Sequence, residues 1–165
     1  MQLGSLLSNF QLEKVRLGPA WANVEISFDQ SDQDAAWELY VEMLLRVVTQ
    51  PLPSEGGDES TALNSIYALF PVTREILRRR GRTAISFSKV AIPVMNQVVR
   101  PFTTKWHPQS LAGALSDAEK RTEFRQDLEA LQSDLRNYNR LLAQIAGVED
   151  FTGLEARPDA GDVSN

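Results

Sequence analysis

Residues 117–145, DAEKRTEFRQDLEALQSDLRNYNRLLAQI, decide the fold. Phe124, Leu128, Leu131, Leu135, Tyr138, Leu142 and Ile145 recur at alternating steps of four and three. That spacing puts every apolar side chain on one stripe of a helix and makes a heptad seam. At ~1.5 Å per residue the segment predicts a rod of roughly 43 Å, starting near Asp117. A seam of this kind must be covered, either by other helices of the chain or by a second copy. Bundle cores and coiled coils use the same positions, so the spacing leaves both open, with packing inside the chain favoured.

Working outward, three more amphipathic patterns precede the rod. Ser31 or Asp32 can cap a helix over about 33–49, whose stripe is Trp37, Tyr40, Val41, Leu44, Val47 and Val48. Prolines and glycines in 50–57 break it. A second pattern covers about 59–80, with a kink or break expected at Pro71. A third covers about 84–105, interrupted by Pro93 and by Pro101, which is expected to bend or shift its last turn, before residues 106–110 lead into a loop containing Gly113. Upstream, 12–17 and 21–28 alternate apolar and polar around Gly18-Pro19, which predicts a small β-hairpin lying on the helices. The expected fold is therefore mainly α: an antiparallel four-helix bundle with a small N-terminal β-hairpin. Residues 1–11 are expected as an N-terminal arm, either a short helix or a docking segment, 12–150 as the bundle with its hairpin, and 151–165 as a flexible tail.

Composition narrows the chemistry. The 165 residues contain no cysteine and one histidine, which excludes disulfides, thiolate metal sites, cysteine nucleophiles and any site needing two imidazoles from one chain. No apolar run approaches the roughly 18 residues of a membrane span, and the first 13 residues carry no Lys or Arg. No membrane association and a cytoplasmic location are the resulting expectations.

Charge is strongly segregated. Residues 74–107 hold eight bases against one acid, Glu75, a local +7 within a chain whose total is −5. Arg74, Arg78, Arg79, Arg80, Arg82, Arg100 and Lys105 are the candidate anion- or partner-binding residues, because a local positive field captures anions whatever the net charge. Two readings of Arg78-Arg79-Arg80-Gly81-Arg82 compete with each other. Cations at a helix C-terminus complement its dipole, with Gly81 as the stop, and pair with acids on neighbouring helices. Alternatively they bind phosphate or an acidic protein surface. An acidic chain with no aromatic residues interleaved among its arginines favours a protein partner over nucleic acid.

No constellation points to catalysis. There is no Gly-x-Ser-x-Gly elbow, phosphate loop or dinucleotide fingerprint, and no cofactor or metal is expected. His107 beside Trp106 reads as a packing or capping residue, and Glu38 with Glu42 as a solvated acidic face. The helical aromatics read as core, while Trp21 and Trp106 either pack the hairpin on the bundle or anchor a partner.

The segment Asn96–His107, N-x-x-x-R-P-F-x-x-K-W-H, resembles one in uncharacterised bacterial helical proteins, as does Ala36-Trp37-Glu38-Leu39-Tyr40-Val41-Glu42. Some of those proteins accompany mobile-element or anti-phage defence genes. The resemblance implies an accessory role in a multi-protein system and nominates no catalytic residue. The expected function is a non-enzymatic interaction module, with a nucleic-acid or nucleotide binder acting through 74–107 as the alternative.

Overall fold

The computed structural model describes residues 1–54 and 57–154. Along the chain these form α1 (Leu3–Asn9), α2 (Pro19–Ala22), α3 (Gln30–Leu44), α4 (Glu59–Tyr67), α5 (Leu69–Arg80), α6 (Ile85–Val94), α7 (Arg100–Leu111) and α8 (Ala118–Ala146). The chain is mainly helical, as its sequence patterns predict. Eight helical segments among the described residues replace the expected four-helix bundle.

α8 is the rod. Asp117 caps its first turn by accepting the Lys120 N–H at 2.9 Å, and Gly147 ends it in the left-handed conformation at φ 69°. All seven seam residues are buried within the chain, packed mainly against α3 and also against α7 and α4. The seam is spent on intramolecular packing, so it offers no surface for the homo-oligomer that its spacing also allowed. Polar side chains beside the seam tie down the connection that follows α3. Gln132 Nε2 donates to Val47 O at 2.8 Å, and Arg125 Nη1 donates to Pro53 O at 2.8 Å while its Nε meets Glu59 at 2.6 Å.

The remaining helices depart from their patterns, some ending sooner and one running on, for local reasons. The N-cap of α3 is Asp29 rather than Ser31 or Asp32, in a reciprocal capping box with Asp32. Asp32 goes further. It is 2% exposed, and its Oδ1 accepts the Phe87 N–H at 2.8 Å in the first turn of α6, a helix with no side-chain cap of its own. The 59–80 pattern breaks at Ala68 and not at Pro71, which sits third in α5, where its missing N–H would have no helical partner anyway. Residues 85–111 are continuous helix through a π-helical turn, Met95–Val99. There the Arg100 N–H bonds Met95 O, five residues back, just before Pro101 interrupts the donor ladder. The helix continues past its expected end near 105, through 106–110, to Leu111, because Trp106 is fully buried and its Nε1–H donates to Asp127 of α8 at 2.9 Å.

The β-hairpin is not present: the described residues contain no strand. Leu12 and Val15 are the buried residues of the first run, in turns closed by Leu12 N–H to Leu7 O and Val15 N–H to Leu12 O. Pro19 opens α2, where the second run was expected to begin as strand. Its downstream half is extended, with Ile26 buried, but pairs with the chain's start: Leu3 N–H to Val24 O at 2.9 Å and Ile26 N–H to Met1 O at 2.8 Å. The 1–11 segment is accordingly part of the core, with Leu3, Leu6 and Leu7 buried. At the other end, Thr152 is buried and accepts from Asn139 Nδ2 at 3.1 Å. Residues 155–165 of the expected tail lie outside the described residues.

Candidate functional site

The structure divides the arginine cluster in two. α3 packs beside α5, so Glu38 faces the end of α5 and binds both Arg79 and Arg80. Arg80 also reaches Asp34 at 3.1 Å. Gly81, at φ 59°, ends α5 after these residues, as the dipole reading expected. Arg79 and Arg80 are thus both paired within the chain. Glu42 is likewise engaged, by Arg46 at 2.6 Å. Lys105 belongs to this class too. It bonds Asp127 at 2.6 Å and Glu123 at 2.8 Å, and those hydrogen bonds, Asp127's first, raise its pKa above the ordinary lysine value. Hydrogen bonds from Lys105 and then Lys120 hold the Glu123 carboxyl down at about 2.

Arg74, Arg78 and Arg100 have no carboxylate partner among the described residues. Arg74 and Arg78 are four apart, on the face of α5 turned from α3, and Arg100 opens α7 just after the π-helical turn. Together they line a groove of about 310 Å³ between α5 and the α6–α7 helix. Its apolar lining includes Phe70, Leu77, Ile92 and Met95, and no carboxylate lines it. Thr73, also in the lining, is 3% exposed, and its buried hydroxyl has no hydrogen-bond partner among the described residues. Arg100 is held in place: Asn96 Oδ1 accepts from its Nη2 at 2.8 Å and its Nε at 3.1 Å, and its guanidinium lies 4.8 Å over the Phe70 ring. A fixed guanidinium loses less freedom on binding than a mobile one. Arg82 is exposed in the 3₁₀ turn after α5, outside the groove lining.

A row of rings continues from the groove. Phe70 meets Tyr67 edge-on at 6.0 Å, and Tyr67 stacks on His107 at 5.2 Å and an interplanar angle of 20°. Phe70 is one turn before Arg74 in sequence, but its contact with Arg100 and the Tyr67–His107 stack span 30 and 40 positions and had no local signal. His107 does pack, as expected, though on an exposed tyrosine rather than in a core. Trp37 and Tyr67 are exposed despite lying on helical stripes, while Tyr40, Phe87, Phe102 and Tyr138 are buried. Of the two outlying tryptophans, Trp106 packs and Trp21 stands in solvent.

Groove chemistry follows from these parts. Three guanidiniums without internal counterions attract carboxylate or phosphate, and the apolar lining accepts side chains from the same ligand. The described residues contain no group of three or more metal-ligating side chains, and no helix among them is long and apolar enough to cross a membrane. No family model, no curated protein and no solved structure matches the chain.

Proposed function

We propose that this chain is a non-enzymatic interaction module that receives an acidic segment of a partner protein in the groove of Arg74, Arg78 and Arg100. The observation that carries the reading is the division of the cluster: α3 neutralises Arg79 and Arg80, while Arg74, Arg78 and Arg100 stand unpaired over an apolar floor. Cations serving only to end α5 would not need Arg100, which comes from another helix. The resemblance of 96–107 to helical bacterial proteins, some of which accompany mobile-element or defence genes, is in keeping with an accessory place in a bacterial multi-protein system.

Nucleic acid is the second reading, favoured by the exposed Tyr67 ring beside the arginines. The apolar lining weighs against it. So do the ring contacts, since Phe70 is covered by Arg100 and Tyr67 by His107, which takes faces that bases would need. The deciding experiment is a nuclease-treated affinity purification from the source host with wild type and R74E/R78E/R100E side by side. A stoichiometric protein recovered by wild type and lost by the variant is the expected result. The same protein retained by the variant, or nucleic acid as the only arginine-dependent species, refutes the reading.

A further inference from the structure

A second groove lies on the opposite flank of α6. It holds about 420 Å³ between that helix and the segment that includes α2. Trp21, Ile85 and Ile92 line it, and they are 56%, 54% and 47% exposed. Large apolar side chains gathered in water at one place mark an interaction surface, because each gains by being covered. Arg16 and Lys89 also line this groove, neither has an ion-pair partner among the described residues, and no carboxylate lines it. Ile92 belongs to both grooves. The two are therefore one surface, with α6 as the ridge between them and five cations around an apolar centre.

We propose that the occupant of this surface is an acidic amphipathic helix of a partner protein, lying across α6. Its apolar stripe covers Trp21, Ile85 and Ile92, and its carboxylates reach Lys89 and Arg16 on one flank and Arg74, Arg78 and Arg100 on the other. Charge complementarity selects an acidic ligand, and the contiguous apolar centre selects one with an apolar face. A strand is disfavoured, because the described residues offer no sheet edge for it to extend, whereas a groove beside a ridge suits a helix. The inference rests on the interaction reading above and adds the ligand's form and its second contact.

The test uses the full chain and a fluorescein-labelled synthetic helix of about 15 residues, roughly 22 Å long. The probe carries leucines at i, i+3, i+4 and i+7 and glutamates elsewhere, against a scramble of the same composition. Wild type is expected to bind the patterned probe at least about tenfold tighter than the scramble, with a blue shift in tryptophan emission that Trp21→Phe removes. I85S/I92S, which alters exposed side chains and whose fold circular dichroism checks, is expected to erase the preference and keep the weak binding of the scramble. R74E/R78E/R100E is expected to weaken both. If wild type shows no preference, or I85S/I92S keeps it, the helix proposal fails while the arginine groove stands. If the arginine variant binds both probes as wild type does, the interaction reading fails as well. Displacement of the patterned probe by mixed-sequence RNA at equal charge, with no loss in I85S/I92S, reassigns the surface to nucleic acid.

Discussion

Asp32 joins α3 to α6, the ridge of the candidate surface, and its removal has a calculable cost. One carboxylate oxygen accepts the Asp29 N–H at 3.1 Å, closing the capping box of α3, and the other accepts the buried Phe87 N–H at 2.8 Å. Asp32→Ala leaves the Phe87 donor without an acceptor in a dry site, which costs about 1–3 kcal/mol. Loss of half the capping box adds about 1 kcal/mol. The sum is about 2–4 kcal/mol, a large part of the 5–15 kcal/mol typical of a domain, and roughly 5–15 °C in Tm at this size. Asp32→Asn is expected to fall between, because its amide keeps one acceptor for Phe87 and presents a donor to the Asp29 N–H. Urea denaturation followed by far-ultraviolet circular dichroism reads all three chains. Ser133→Ala, on the exposed face of α8, serves as a control expected within about 0.5 kcal/mol of wild type. An Asp32→Ala midpoint indistinguishable from the control would refute the idea that this carboxylate caps α6 from α3.

Other outcomes follow from the same contacts. R79A/R80A is expected to lower the unfolding midpoint by uncoupling α5 from Glu38 and Asp34, and to leave binding of acidic ligands intact. R74A/R78A/R100A is expected to do the reverse, with thermal melting and anisotropy separating the two. Glu123, held at about 2 against an ordinary 4.5, binds its proton less readily in the folded chain. Its contribution to stability is therefore present above the ordinary carboxylate range and lost as pH falls toward 2. Glu123→Gln is expected to flatten stability against pH in that window, as read by melts from pH 5 to about 2. Sedimentation over a hundredfold range of concentration is expected to return a monomer, since the α8 seam is buried. A dimer abolished by substitutions in the seam would contradict that packing.

The rod was legible because its signal is local and redundant: seven residues at one period, each buried where the period put it. The hairpin failed because alternation in 24–26 reports an extended segment but not its partner, which proved to be residues 1–3. A Gly-Pro between two alternating runs reads as a hairpin turn, yet Pro19 is equally at home opening a helix. The break expected at Pro71 was misplaced by three residues, and the third helix was ended too early, because propensity cannot see tertiary contacts. Nothing local ends a helix at Ala68 or carries one past Pro108. The site divided along the same line. The charge count nominated seven cations and passed over Arg16 and Lys89, which line the second groove. Only the docking of α3 and α8 shows that Glu38, Asp34, Asp127 and Glu123 neutralise three of the seven. The ring row and the exposed Trp21–Ile85–Ile92 patch join distant parts of the chain and had no signature of their own.

The unpaired arginine groove is the centre of the functional reading, and one titration addresses it most directly. A fluorescein-labelled polyglutamate peptide is added to wild type, R79A/R80A and R74E/R78E/R100E, and anisotropy is followed at low and at physiological salt. Saturable binding by the first two, weakened by salt and abolished in the third, is the expected result. Equal binding by wild type and R74E/R78E/R100E, or loss confined to R79A/R80A, would contradict it.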